Sequence, residues 1–95
     1  DALDFAAKFL NLLPRRISAI TATVEAGEAE AAHVALVSLA ASAGTVGALR
    51  LEQDARLADR DIRSGQLVHA RESMSQLGRD AEAVRLALVE LIERR

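Results

Sequence analysis

Three short glycine-containing breaks divide the chain into four runs whose apolar residues recur every three or four positions. The breaks lie at Gly27, between Gly44 and Gly47, and at Ser64 and Gly65. A spacing of three and four places apolar side chains on one stripe of an α-helix, and glycine commonly ends helices. Because connections of a few residues make sequential helices antiparallel, the pattern predicts an all-α, up-down-up-down four-helix bundle.

Each run contains regularly spaced apolar residues that we expect to face the core. These residues are Leu3, Ala6, Leu10, Leu13, Ile17, Ile20 and Val24 in the first run, Ala29, Ala32, Leu36, Leu39 and Ala43 in the second, Ala48, Leu51, Ala55, Ala58 and Ile62 in the third, and Leu67, Ala70, Met74, Leu77, Ala81, Val84, Leu88 and Leu91 in the fourth. Pro14 lacks a backbone N–H, so we expect a bend in the first helix there, or a break with a short helix before it. Thr45 is the expected N-cap of the third helix.

The composition is that of one helical domain. Ninety-five residues suffice for a single core over 1–95, and 51% of the residues are apolar and 27% charged. The net charge of −2 and the interleaving of both signs argue against nucleic-acid binding. The chain has no cysteine and no segment of signal or membrane type, so we expect a cytoplasmic protein. Because it begins at Asp1, we expect it to be part of a longer protein.

The segment 34–49 carries no charged side chain and has more apolar residues than one core stripe needs. At about 100° per residue, Val34, Val37 and Ala41 lie on the outward side of the second helix. Val46, Leu49 and Leu57 lie opposite the core stripe of the third. We expect these residues to join in one exposed patch, which is typical of a partner-binding or homodimer surface. The alternative is that alanine and valine are simply tolerated at a surface.

Part of this segment resembles a known motif. Residues 37–48 read VSLAASAGTVGA and are similar to the phosphoacceptor motif of the histidine-phosphotransfer (HPt) domains of bacterial two-component signalling. That motif reads H-x-L-K-G-S, then four variable residues and G-A; the matching residues are Leu39, Ser42, Gly47 and Ala48. The stretches FLNLLPRRISAI and AGEAEAA also resemble the first helix of the family and the turn before its motif helix. The resemblance implies an antiparallel four-helix bundle with the motif in the second helix.

The departures from the motif bear directly on chemistry. Val37 stands where the family has its phosphorylated histidine, and valine has no nitrogen that can accept a phosphoryl group. Ala40 replaces the usual lysine, and Ala41 replaces a glycine that allows close approach of a receiver domain. Docking is therefore expected to survive where phosphotransfer is lost.

Two histidines are candidates for other roles. His33 lies one turn before Val37 on a neighbouring part of the helix surface. It is either a displaced phosphoacceptor or a half-exposed helix residue, and a displacement of about 5–6 Å along the helix disfavours the first role. His69 lies beside Arg71 and Glu72, and we expect it to be solvated, with no partners for a metal.

Other arrangements give no catalytic signal. Ser38 and Ser42 lack a recognisable nucleophile environment, and the segment 44–47 lacks the features of a phosphate-binding loop. The acids Asp54, Asp59 and Asp61 are interspersed with Arg56, Arg60 and Arg63, which predicts a solvated face of ion pairs. We therefore expect a protein that is not an enzyme and that binds neither metal nor cofactor.

The resemblance implies a degenerate HPt-like module that binds a receiver domain or a sensor kinase without relaying phosphate. The expected partner-binding residues are Val34, Val37, Ser38, Ala40, Ala41, Gly44 and Leu49. Two alternatives remain open: a structural bundle that forms homodimers through the same patch, and an active phosphotransfer protein that uses His33.

Overall fold

The computed structural model describes residues 1–94, which form four α-helices and no strand. The helices are α1 (Ala2–Glu25), α2 (Ala29–Thr45), α3 (Leu49–Arg63) and α4 (Leu67–Glu93). Each helix packs against the next in sequence, and α1 also packs against α4. The predicted four-helix bundle is confirmed. The two central pairs, α2 with α3 and α3 with α4, are packed more extensively than the pairs that α1 makes.

The three connections between helices share one geometry. At the end of α1, the N–H of Glu28 donates to the carbonyl of Thr23 at 2.9 Å, and that of Gly27 donates to Val24 at 3.1 Å. Equivalent pairs of bonds end α2 and α3. Gly27 has a φ of 72°, a left-handed conformation that costs a residue with a Cβ about 1–2 kcal/mol. The glycines near the predicted breaks thus end helices and allow the chain to reverse within three residues.

The predicted role of Thr45 is wrong. Thr45 is the last residue of α2, and its hydroxyl donates to the carbonyl of Ala41 at 3.0 Å. The residue that precedes α3 is Ala48, which has no side chain able to cap the helix. Gly44 is also helical, so of the two glycines in this segment only Gly47 lies in the turn. The α2 helix extends to Thr45, whose hydroxyl bonds to a carbonyl of its own helix. The positive φ that the turn needs occurs two residues later, at Gly47.

Of the two alternatives predicted at Pro14, a bend or a break, the break is wrong, because α1 continues through this residue without interruption. A proline in a helix removes one backbone hydrogen bond and adds a steric contact with the preceding turn. Here the side chains on either side, Leu13 and Ile20, are buried, and Ile17 packs against the core. The burial of these residues along one side of the bundle compensates for the proline.

Most of the predicted core stripes are buried or pack against buried residues. Ala29 and Leu67 are exposed because each is the first residue of its helix, and Leu91 is exposed in the last turn of α4. At helix ends, few neighbouring elements are available to cover a side chain. Phe9 and Ala40 belong to the core although they were not predicted there.

Candidate protein-binding face

The middle of α2 presents apolar side chains to solvent. Val34 is 59% exposed and Val37 is 42% exposed, and Ser38 and Ala41 on the same side are also exposed. Leu36 and Leu39, between them in sequence, are fully buried. The helical period therefore divides α2 into a buried side and an exposed side, as expected, although both sides carry apolar residues. We call Val34, Val37, Ser38 and Ala41 the α2 face.

Three of the residues expected on the exposed surface lie elsewhere. Ala40 is fully buried in the core, so it is not available to a partner. Gly44 faces α3: a Cβ built on it would lie 3.1 Å from Oε1 of Glu52. Val46 is half-buried and packs against the core. It follows the last residue of α2, so the helical angles used for its prediction do not apply there.

Charged side chains of α3 contact α2 at two places. Glu52 lies against Gly44 and pairs with Arg56 at 3.0 Å, and Asp59 reaches across to His33. Leu49 and Leu57 are exposed as predicted. Polar contacts thus lie between α2 and α3 beside the residues of the predicted patch.

On its other side, the α2 face borders a cation held by α1. Nη2 of Arg16 donates to Oγ of Ser38 at 3.1 Å, and Nη1 donates to Oγ of Ser42 at 3.2 Å. Arg16, Ser38 and Val34 line one groove between α1 and α2. The sequence analysis missed this residue because the contacts join positions 22 and 26 apart, which no local pattern reveals. The face is thus apolar in its middle and cationic along its α1 edge.

His33 is held by a buried carboxylate. Its Nδ1 lies 2.6 Å from Oδ1 of Asp59, whose Oδ2 pairs with Nε of Arg63 at 3.2 Å. In a neutral imidazole, a carboxylate at Nδ1 favours the tautomer with the proton on that nitrogen, in which Nε2 is the unprotonated nitrogen. The His33 side chain is one-third exposed. The contact with Asp59 fixes the orientation of the His33 ring. A surface histidine without such a partner would lack this constraint.

The prediction that the acids of α3 lie on a solvated face of ion pairs is wrong for two of them. Asp59 and Asp61 are buried, and Asp61 accepts a hydrogen bond from Oγ of Ser73 in α4 at 2.7 Å. These carboxylates therefore link α3 to its neighbours. The order of charges in the sequence does not reveal burial. Residues a few positions apart on a helix point in different directions, so some of these acids face the adjacent helices.

Asp54 forms a further link between α3 and α4. Burial, followed by the hydrogen bond and the charge of Asp80, raises the pKa of Asp54 to about 7, against a lowering by Arg50. The hydrogen bond from Asp54 in turn lowers the pKa of Asp80. Oδ2 of Asp54 is buried, and no group within 1–94 donates a hydrogen bond to it. The two carboxyls are therefore best satisfied when they share one proton.

The remaining polar residues of the described part of the chain form no cluster suited to a metal ion. His69 is exposed, and among residues 1–94 no three His, Asp or Glu side chains come together as a ligand set for a metal ion. None of the four described helices is long and apolar enough to cross a membrane. The α2 face, with its neighbours Arg16 and His33, is the surface on which function can be argued.

The fold and this face define a class, an all-α four-helix bundle with an exposed apolar helix surface. Comparison with protein-family models, with curated proteins and with solved structures finds no match to this chain. A function must therefore be argued from the geometry of the face and from the motif resemblance of residues 37–48.

Proposed function

We propose that the chain is an HPt-like docking module that binds a receiver domain of two-component signalling through the α2 face without accepting a phosphoryl group. The observation that carries the proposal is the position of Val37, which is exposed in the middle of α2. The motif resemblance places a phosphoacceptor histidine at that point. The surface is thus presented for contact while the residue at its centre has no nucleophilic atom.

The physical character of the face supports binding by burial of apolar surface. Val34 and Val37 lie one turn apart and are each about half exposed. Complete burial of their side chains is worth about 1 kcal/mol each. Ala41 is small, so it permits close approach of a partner backbone. The adjacent polar groups of Ser38 and Arg16 provide directional contacts at the edge.

Titration calorimetry with a panel of purified receiver domains tests this proposal. A receiver is expected to bind the native domain, and Val37→Glu is expected to weaken that binding by at least about tenfold, because a charge would be buried against the partner. Val68→Glu is the matched control, since Val68 is 67% exposed on α4 and outside the face. Absence of any binding receiver, or equal weakening by both variants, would contradict the proposal.

Light scattering distinguishes docking from self-association. A monomer leaves the α2 face free for a receiver, as proposed. A stable dimer that Val37→Glu dissociates and Val68→Glu leaves intact would instead favour the homodimerisation bundle and overturn the docking function.

A second candidate function is phosphotransfer through His33, which the bond from Nδ1 to Asp59 favours. In such a step, Nε2 would attack the phosphorus of an aspartyl phosphate. The new P–N bond would replace the P–O bond, the aspartate would leave as a carboxylate, and the proton would stay on Nδ1 against Asp59. Acid-labile phosphate on the native domain that His33→Gln abolishes would establish this function. An unlabelled native domain that still binds a receiver favours pure docking.

A further inference from the structure

We propose that Arg16 makes the docking module selective for the phosphorylated state of its partner, by binding the phosphoryl group carried on the receiver aspartate. This inference rests on the proposed function and adds to it a ligand chemistry and a recognising residue. In this arrangement the guanidinium binds the phosphoryl group, whereas a histidine at position 37 would receive it.

The placement of Arg16 is the first argument. Two hydroxyls of α2 accept from its terminal nitrogens, Ser38 from Nη2 and Ser42 from Nη1. Ser42 is itself anchored, because its Oγ donates to the carbonyl of Ser38 at 3.1 Å. An arginine held in this way loses less side-chain freedom when a ligand binds. The cation is therefore fixed beside the α2 face before any partner arrives.

The unused capacity of Arg16 is the second argument. A guanidinium has five N–H donors, and the two hydroxyls engage two of them. Arg16 forms no ion pair with the carboxylates of residues 1–94, in contrast to Arg56 and Arg63, which pair with Glu52 and Asp59. Its charge is thus not neutralised by a direct ion pair within residues 1–94, and Glu30 is the one carboxylate that lines the same groove.

The chemistry of the ligand follows from these donors. Arginine binds phosphoryl and carboxylate oxygens through two parallel N–H donors, and charge-assisted bonds of this kind are about twice as strong as neutral ones. A phosphorylated aspartate carries more negative charge than a free one and projects its oxygens further. Docking of the apolar face would bring that group against Arg16, so the phosphorylated receiver is expected to bind more tightly.

The test compares one receiver with and without beryllium trifluoride, which mimics a phosphoryl group on aspartate. The native domain is expected to bind the loaded receiver about tenfold or more tightly than the unloaded one. Arg16→Gln is expected to remove this preference, so that its affinities for the loaded and the unloaded receiver agree within about twofold. Arg15→Gln is the matched control, because Arg15 is adjacent in sequence and exposed, about 100° further around α1.

Each outcome decides one of the two proposals. A receiver that binds the native domain equally well in both states, or a preference that persists in Arg16→Gln, overturns the role of Arg16 and leaves docking intact. Failure of every receiver to bind overturns the docking function instead. Arg16→Lys guards against misfolding of the first variant: it keeps the charge and loses the paired donors, so a reduced preference with an unchanged thermal midpoint supports the role of the guanidinium.

Discussion

At the scale of single residues, the acids of α3 show how strongly burial alters a side chain that the sequence presents as ordinary. Asp54 and Asp80 lie on adjacent helices, and a hydrogen bond between their carboxyls is among the causes of their pKa shifts. Such a bond needs a proton on one of the two groups. The pair therefore has opposite shifts, with the pKa of Asp54 raised and that of Asp80 lowered. A local dependence of stability on pH follows.

The sign of the Asp54 contribution comes from proton linkage. Its pKa in the folded chain is about 7, against an ordinary value of 3.8. Between these values the folded chain holds a proton that the unfolded chain releases, so the free energy of unfolding decreases as pH rises through this window. Above pH 7 the folded chain also loses this proton, and the destabilisation by the ionised Asp54 carboxylate reaches its full size. The lowered pKa of Asp80 acts in the other direction, because its stabilisation is lost when pH falls through the folded-state value.

Asp54→Asn should stabilise the protein at pH 8, since the amide mimics the protonated carboxyl and donates to Asp80. After allowance for partial exposure, we expect a gain of about 1 kcal/mol in the free energy of unfolding at pH 8 that shrinks as pH is lowered toward 4. Urea unfolding across this range measures it. Glu72→Gln, which removes one charge from an exposed position on α4, controls for net charge. A gain that is the same at pH 8 and pH 4 would contradict the shared proton.

At this scale the sequence predicts little of the site. Exposure of Val34 and Val37 follows from helical period, and the structure shows it. By contrast, the contact of Arg16 with Ser38 and the contact of His33 with Asp59 each join two helices. Periodicity describes one helix at a time and cannot specify how two helices are rotated against each other, so these pairs are visible only after packing is known.

At the scale of elements, the four helices and their three glycine turns are largely determined by local chemistry. Gly27, Gly47 and Gly65 all have positive φ, and a left-handed residue after a helix is a local requirement that only glycine meets without strain. The errors occurred where local signals competed with packing. Thr45 could have capped α3 but bonds within α2, and Pro14 could have ended α1 but is flanked by residues that the core holds in place.

The same substitution at two glycines tests this account of the turns. Gly47 has a φ of 81°, so Gly47→Ala should lower the free energy of unfolding by about 1 kcal/mol. Gly78 is inside α4, and a Cβ there would meet no atom within 4 Å. Gly78→Ala should therefore raise the free energy of unfolding by about 0.5–1 kcal/mol.

Chemical denaturation of the two variants beside the native chain measures both effects. Because a Cβ at Gly47 also meets nothing within 4 Å, the difference in sign between the variants reports backbone conformation alone. Two changes of the same sign would show that the positive φ at Gly47 does not control this turn.

At the scale of the whole molecule, the bundle separates stability from recognition within a single helix. One side of α2 contributes Leu36, Leu39 and Ala40 to the core, while the α2 face lies outside it. The core requires apolar residues at the helical period, whereas folding places no requirement on the residues of the α2 face. Its apolar character is what the proposed docking to a partner requires.

The same separation is compatible with the proposed docking without phosphotransfer. Val37 stands where the resembling motif has a histidine, and a change at this exposed site leaves the core untouched. Arg16 and the hydroxyl of Ser38 remain in place beside it. The reverse change should therefore also be tolerated by the fold.

Phosphate labelling of the Val37→His variant tests the central claim most directly. A receiver that binds the native domain is phosphorylated on its aspartate and mixed with the native chain, with Val37→His, and with Val37→His combined with His33→Gln. The account predicts acid-labile label on both variants and none on the native chain, because docking already presents position 37 to the aspartyl phosphate. An unlabelled Val37→His variant that still folds and binds the receiver would show that position 37 does not meet the phosphoryl group, and would contradict the account.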